Sequence, residues 1–197
     1  MEKFQNRFRI PSTRANWHDY HGGVYFVTIC TKNREHYFGE ITHCCRDVAR
    51  NVSTEPQMQL SPIGQYAYDQ FMNVKTHYPY TEIPLFVIMP DHIHAIVTID
   101  GGNDTGRDVA RNVSTSARNV STVVDTQMAN ISPRKNSLAV VIRGIKSSIT
   151  KFANENNIPF AWQTRFHDRI IRNQNEFDRI SDYIEKNVVN WHDDLSS

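Results

Sequence analysis

The stretch PLFVIMPDHIHAIVTI, residues 84–99, is largely apolar and decides how the fold is organised. It predicts either one strand or two successive strands that separate near Pro90, because proline does not continue the hydrogen-bond ladder of a sheet. Side chains two residues apart in a strand point to the same face, so His92 and His94 are expected to lie side by side. The opposite face is apolar and can cover a core, through Ile93, Ala95, Val97 and Ile99.

The elements before this stretch are predicted from residue type and turn signals. GVYFVTICT, residues 23–31, is rich in β-branched and aromatic residues and follows a Gly-Gly turn, so it predicts a strand. HYFGEI, residues 36–41, is expected to be its hairpin partner. SPIGQYAYDQFMNVKTHYP, residues 61–79, predicts a helix with Ser61 as N-cap and Pro62 at the first helical position.

The elements after it complete a mixed pattern. Residues 137–157 have apolar side chains at helical spacing, and FAWQTRFHDRIIRN, residues 160–173, predicts a short strand. QNEFDRISDYIEKNVV, residues 174–189, predicts a helix after Asn173, which together with Glu176 resembles a capping box. Strands and helices are therefore mixed along the chain without a regular β-α-β alternation. This order favours the α+β class with an antiparallel sheet.

Composition sets the class of protein. A chain of 197 residues is long enough for one compact domain with a sizeable core. The 22 Lys and Arg residues balance 21 Asp and Glu residues, so net charge does not decide for or against nucleic acid. Three cysteines, two of them adjacent, suit a reducing compartment. Neither a secretory signal nor a bilayer-spanning apolar run is present in the sequence, so a cytoplasmic protein without a membrane partner is expected.

A short repeat interrupts the chain. RDVARNVST occurs at residues 46–54 and again at 107–115, and the shortened copy ARNVST follows at 117–122. The copies are polar, irregularly spaced and without a helical or strand pattern, so they do not indicate a solenoid. We interpret the chain as a single domain over residues 1–197 with loop insertions near 44–57 and 101–136, where loops tolerate added sequence. The alternative is a duplicated functional linker.

The two histidines and a distant tyrosine are candidates for a reactive site. Two adjacent neutral imidazoles can hold one divalent metal ion, but catalysis needs a further oxygen ligand and open coordination positions. Tyr183 and Asn187, four residues apart, project from one side of the last predicted helix. Tyr183 lies beside the apolar stripe of that helix and can reach a site on the sheet. The alternatives are two hydrogen-bonded core histidines and an ordinary packing tyrosine.

Five segments resemble, in the same order, the IS200-like transposases, and above all their branch of REP-associated tyrosine transposases. The segments are YFVTICT…FGEI, FVIMPDHIHAIV, IRGIKSSIT, AWQTRFHDRIIRN and DYIEKN. The resemblance implies a ferredoxin-like antiparallel sheet with helices, and a C-terminal helix that carries the tyrosine. It covers nearly the whole chain except the repeats.

The resemblance also implies an activity. Tyr183 would cleave and rejoin single-stranded or hairpin DNA through a 5′-phosphotyrosine intermediate, as a metal-dependent transposase or nickase. His92 and His94 would bind Mg²⁺ or Mn²⁺, and Asn187 would complete the metal site, as a polar residue four positions after the tyrosine does in some relatives. Relatives often have proline after this asparagine, whereas Val188 follows it here. The residue at which the helix ends is therefore not determined by the sequence. IS200-like proteins work as dimers, while the REP-associated branch need not, so a homodimer is an open expectation.

DNA contacts are expected from local positive charge, because phosphates dominate nucleic-acid affinity. Basic residues outnumber acidic ones between residues 134 and 186, and the N-terminal arm adds more. Lys146 is in addition a candidate partner of a phosphate or of the tyrosinate. Trp17, Tyr25 and Trp162 are candidates for base stacking, the alternative for each being a place in the core. The candidate DNA-binding residues are Arg14, Arg143, Lys146, Trp162, Gln163 and Arg165.

Two other function classes compete with this interpretation. A non-catalytic nucleic-acid-binding module on the same fold would not need His92, His94 or Tyr183, and all three are present. A metallohydrolase with a His-x-His motif needs further His and Asp ligands in a cluster. His167 and Asp168 are the nearest approach to such a cluster in the sequence.

Overall fold

The structure, a computed structural model, describes residues 18, 20, 22–42, 56–101 and 136–191, together with the backbone of two short N-terminal strands. These strands, β1 (Lys3–Phe4) and β2 (Arg7–Phe8), pair with each other in antiparallel fashion. All three copies of the repeat, as well as Arg14 and Trp17, lie outside the described residues. The loop insertions and the contact of Arg14 with DNA therefore stay predictions.

The remaining elements follow the predicted order closely. A 3-10 turn, Lys32–Arg34, lies between the strands Gly23–Cys30 and Gly39–Thr42. In chain order the remaining elements are β3 (Gly23–Cys30), β4 (Gly39–Thr42), β5 (Gln57–Leu60), α1 (Pro62–Met72), α2 (Val74–His77), β6 (Thr81–Ile88), β7 (His92–Ile99), α3 (Leu138–Glu155), β8 (His167–Ile171) and α4 (Gln174–Glu185).

Four strands form the main sheet in the order β6-β7-β3-β8, and every neighbouring pair is antiparallel. With α1 between β3 and β6, and α3 between β7 and β8, this is the β-α-β-β-α-β arrangement of ferredoxin-like folds. The α+β class and the ferredoxin-like sheet are therefore confirmed. The stretch 84–99 forms two strands that separate at residues 89–91, as the presence of Pro90 allows.

The predicted hairpin between residues 23–31 and 36–41 is wrong. β4 pairs instead with β5, in a two-stranded sheet of its own. The physical reason is that β3 is a central strand, with β7 hydrogen-bonded on one side and β8 on the other. No edge of β3 is left for β4, and the 3-10 turn after β3 takes the chain out of the main sheet.

The two faces of the main sheet bury different clusters. One face packs against α1 and α3 in a large core, in which Tyr25 is fully buried and is therefore a core residue. The other face is covered by α4 through a smaller cluster, whose buried members are Ile96, Ile171, Ile180 and Ile184. Burying a side chain of this size stabilises the fold by about 1.5–3 kcal/mol. The smaller cluster thus holds α4 against the sheet.

Helix termini follow the sequence signals in part. Ser61 accepts a hydrogen bond from the Gly64 amide at 3.1 Å, as an N-cap does. The predicted single helix over residues 61–79 is divided at Asn73, whose side-chain amide donates to the Asp69 carbonyl at 2.9 Å. The last helix ends at Glu185, earlier than the predicted residue 189. Among the described residues, no helix is both long enough and apolar enough to span a membrane.

Candidate active site

His92 and His94 lie together at the start of β7, on the face of the sheet that α4 covers. Their ring centroids are 4.5 Å apart, and each residue is only 6% exposed. The residues between and after them, Ile93 and Ala95, belong to the large core on the opposite face. The predicted placement of both imidazoles on one face is confirmed.

Tyr183 reaches this pair from α4. Its hydroxyl lies 3.2 Å from Nε2 of His94, and its ring packs edge-on against Phe26 at a centroid distance of 6.1 Å. Ile180 and Ile184, which flank Tyr183 on the helix, are buried against the sheet and fix the helix above β7. Tyr183 itself is 51% exposed. It is therefore anchored by its neighbours and accessible to a ligand.

One cavity of about 450 Å³ contains all four residues that were predicted to form the site. Asn187 follows the end of α4 in a turn, where its backbone N–H donates to the Ile184 carbonyl at 3.2 Å. The helix thus ends without a proline, and Asn187 still lines the cavity. Trp191 forms a further wall, with its ring 5.9 Å from that of His92. The main lining residues are Thr28, Arg34, His92, His94, Tyr183 and Asn187.

His94 is a neutral imidazole with partners at both nitrogens. Nδ1 lies 2.9 Å from the Thr28 hydroxyl, and Nε2 faces Tyr183. Burial, followed by the neighbouring His92 and Arg34, lowers the pKa of His94 to about 3. The ring therefore carries no charge near neutral pH, which is the state in which imidazole binds a metal ion.

His92 is oriented by a carboxylate that sequence reasoning missed. Its Nδ1 is hydrogen-bonded to Asp91, a residue that is 4% exposed and also contacts Arg34 Nε at 3.3 Å. Burial favours the protonated carboxyl group, but the hydrogen bond from His92 and the nearby positive charges outweigh it and hold the pKa of Asp91 below its ordinary value. Asp91 is therefore a carboxylate at neutral pH. Its place directly before His92 was the one signal in the sequence.

The imidazoles of His92 and His94, together with Asn187, have the chemistry to bind a divalent metal ion. A metal-binding histidine usually has its second ring nitrogen held by a carboxylate, carbonyl or similar group, and Asp91 and Thr28 hold the Nδ1 atoms of His92 and His94. Nε2 of each ring would then be the atom available to a metal ion, and the side chain of Asn187, which lines the same cavity, would offer an oxygen. In the described part of the chain, no three His, Cys, Asp or Glu residues are grouped to hold a metal. The cluster that a metallohydrolase of the His-x-His type requires is therefore absent from these residues.

The predicted DNA-binding residues that the structure describes lie outside this cavity. Lys146 is on α3, which packs against the opposite face of the sheet from α4. Its ammonium group donates to the Gln163 carbonyl at 2.8 Å and lies 5.2 Å from the centre of the Trp162 ring, and burial lowers the pKa of Lys146. The predicted pairing of Lys146 with the tyrosinate is therefore not formed, because the sheet separates Lys146 from Tyr183.

The surroundings of Lys146 form a second groove, of about 690 Å³, which Arg143 and Trp162 also line. Trp162 is half-buried, donates from Nε1 to the Lys146 carbonyl at 3.2 Å, and packs against Phe38 at a centroid distance of 5.5 Å. It therefore serves first as a packing residue. Arg143, Gln163 and Arg165 are exposed.

Comparison with known proteins gives the following relatives. No protein-family model matches the chain. A Haemophilus influenzae protein, described only as uncharacterized, is 29% identical in an alignment of 188 positions that covers 93% of this chain and 90% of that protein. Among solved structures, a REP-associated tyrosine transposase bound to a REP hairpin is similar at 18% identity and a TM-score of 0.43, over 88% of this chain and 72% of the other. A Deinococcus radiodurans protein provisionally described as a transposase is similar at 13% identity and a TM-score of 0.33, over 89% of this chain and 97% of the other.

Proposed function

We propose that this protein is a metal-dependent DNA transposase or nickase that cleaves and rejoins single-stranded or hairpin DNA through Tyr183. The observation that carries the proposal is the hydrogen bond between the Tyr183 hydroxyl and one of two adjacent buried histidines. A nucleophile next to two imidazoles that could bind a metal ion, in one open cavity, suits metal-assisted covalent phosphoryl transfer. The motif resemblance to the IS200-like transposases supports the same activity.

The chemistry assigns a role to each group in the cavity. His92 and His94, with Asn187, would hold Mg²⁺ or Mn²⁺, and the ion would withdraw charge from the non-bridging oxygens of the scissile phosphate. Tyr183 then forms a bond from its phenol oxygen to phosphorus, while the bond from phosphorus to the 3′ oxygen breaks. The phenol loses its proton and the departing 3′ oxygen gains one. The products are a 5′-phosphotyrosine and a free 3′-hydroxyl.

The covalent product explains how a strand can be rejoined. The phosphotyrosine keeps the free energy of the phosphodiester, so a 3′-hydroxyl from the same or another strand can attack it and release Tyr183. No external energy source is needed for strand transfer. Phosphate contacts along the DNA would come from Arg143, Lys146 and Arg165, whose charges hold a backbone without reading its sequence.

A denaturing gel assay tests the proposal. The protein is incubated with end-labelled hairpin-bearing single strands from the flanks of its own gene, with Mg²⁺ or Mn²⁺. We expect a metal-dependent covalent protein–DNA band that is absent from Tyr183→Phe and from the double variant His92→Ala, His94→Ala. Tyr68→Phe, an exposed tyrosine on α1, is the matched control and should keep the band. Tight binding by the wild type without any covalent band would instead favour a non-catalytic binding module.

A further inference from the structure

Arg34 lines two neighbouring cavities. One is the cavity that holds His92, His94 and Tyr183. The other is a cleft of about 390 Å³ formed by residues 31–34 on one wall and residues 162–164 on the other. Arg34 thus stands where the cleft meets the candidate active site, and we call this second cavity the edge cleft.

The walls of the edge cleft are tied together by the backbone. The Lys32 amide donates to the Ala161 carbonyl at 2.9 Å, and the Gln163 amide donates to the Cys30 carbonyl at 3.0 Å. Thr31 and Trp162 form a bridge between the two segments. These bonds continue the sheet beyond the ends of its strands, so the edge cleft is formed before any ligand binds.

Arg34 is held in a defined position within this frame. Asn33 and Arg34 have φ angles of 55° and 59°, in the left-handed region that residues with a Cβ seldom adopt. The resulting turn directs the side chain back toward the sheet, where Nε pairs with Asp91 at 3.3 Å and Nη1 contacts the Cys30 sulfur at 3.4 Å. The side chain is nevertheless 59% exposed. Arg34 is therefore a fixed cation that solvent and ligands can reach.

The chemistry of the edge cleft suits a phosphodiester backbone. None of its seven lining residues is acidic. Five carry side-chain hydrogen-bond donors that are exposed, namely Lys32, Asn33, Arg34, Gln163 and Thr164. Arg, Lys, Asn, Gln and Thr side chains are the usual contacts of DNA phosphates.

We propose that the edge cleft binds the DNA strand next to the scissile phosphate, with Arg34 contacting the first phosphate outside the active site and Lys32 a following one. The DNA identity of the ligand rests on the proposed function, whereas the phosphate contacts rest on the edge cleft itself. A competing role for Arg34 is to hold His92 in place through Asp91, which would make it a positioning residue without a DNA contact. Lys32 separates the two roles, because it contributes to the edge cleft and is not a partner of Asp91 in the structure.

Binding measurements on a protein that cannot cleave provide the test. In the Tyr183→Phe background with EDTA, fluorescence anisotropy of a labelled single strand from the gene flank gives the DNA affinity at several salt concentrations. Arg34→Gln and Lys32→Gln should each weaken binding and reduce the salt slope by about one. Lys75→Gln is the matched control, because Lys75 pairs with Glu82 at the other end of the sheet from His92. It should leave the affinity and the slope unchanged.

The affinity for Mn²⁺ without DNA distinguishes the competing role. Loss of DNA affinity in both edge-cleft variants, with wild-type Mn²⁺ affinity for Lys32→Gln, supports the proposal. The proposal is overturned if neither variant binds DNA more weakly, or if only Arg34→Gln does. It is also overturned if Arg34→Gln loses affinity for Mn²⁺ but keeps its affinity for DNA. The covalent-band assay is scored separately, so failure of the nuclease activity leaves this result interpretable.

Discussion

The hydroxyl of Tyr183 lies 3.2 Å from Nε2 of His94, although 89 positions separate the two residues in the sequence. Thr28 occupies the other ring nitrogen of His94. A metal ion binds imidazole through the lone pair of one nitrogen, so the proposed ion would have to replace Tyr183 at Nε2. Tyrosine and the proposed metal ion would therefore compete for one atom, and Tyr183, which is half exposed, is the partner with room to move.

Tyr183→Phe is expected to bind Mn²⁺ at least as tightly as the wild type. The variant removes the competitor at Nε2, and a neutral hydrogen bond contributes about 1 kcal/mol, which corresponds to an increase in affinity of up to about fivefold. Titration calorimetry or the EPR signal of free Mn²⁺ measures the affinity. His94→Ala is the contrasting variant, with an expected loss of more than about tenfold. A similar loss in Tyr183→Phe would show that the tyrosine is itself a ligand.

Asp91→Asn should weaken metal binding by about tenfold or more, the usual cost of losing a carboxylate partner of a metal-bound histidine. Asparagine keeps the shape but removes the charge that both His92 and Arg34 contact. Asp69→Asn, on the exposed side of α1, is the matched control. The Mn²⁺ affinity of the two variants is compared at constant pH. Equal affinities would mean that Asp91 has no part in orienting His92.

The fold could be predicted where local pattern decides it. The alternation of residues 92–99 predicts a strand with one apolar face, and β7 covers these residues, although α4 also buries its other face. The partners of β3 could not be predicted in the same way. On each of its two edges β3 pairs with a strand that comes much later in the chain, β7 on one edge and β8 on the other. The early end of α4 at Glu185 also lacked a signal, since neither proline nor glycine follows it closely.

The site was predictable to a similar extent. Placing His92 and His94 on one face needed only the period of a strand, whereas bringing Tyr183 to them needed the packing of α4 through a cluster of distant isoleucines. Arg34 gave no sequence signal at all. Its position at the site depends on a left-handed turn at Asn33 and Arg34 that directs the guanidinium to Asp91, and an arginine seldom adopts such a conformation.

Ile184→Ala should destabilise the protein by about 3 kcal/mol, because it removes a buried side chain from the smaller cluster and leaves a cavity under α4. Ile184 is 1% exposed, whereas Val189, just beyond the helix, is 49% exposed. Val189→Ala is therefore the matched control, with an expected change within about 0.5 kcal/mol. Urea denaturation monitored by circular dichroism gives both values. If the denaturation midpoints of Ile184→Ala and Val189→Ala were equal, this cluster would not be what holds α4 against the sheet.

Glu176 should make the stability of the protein depend on pH in the acid range. The Arg172 amide donates to one oxygen of the Glu176 carboxylate at 3.1 Å, while Arg169 pairs with the other. The hydrogen bond from Arg172 lowers the pKa of Glu176 below its ordinary value of 4.5, and Arg169 adds to this effect against the opposing effect of burial. A carboxyl group with a lowered pKa in the folded state stabilises that state above its unfolded pKa.

This stabilisation is therefore complete above pH 4.5 and is lost as the pH falls through the lower pKa of the folded state. In Glu176→Gln the contribution is removed at every pH, so the difference in Tm from the wild type should be largest near neutral pH and shrink steadily below pH 4.5. Asn175→Gln, an exposed change at the neighbouring position, controls for disturbance of the first turn of α4. Thermal scans at a series of pH values provide the measurement. A difference in Tm that stays constant across the series would mean that the Glu176 charge does not stabilise the fold and that only its shape matters.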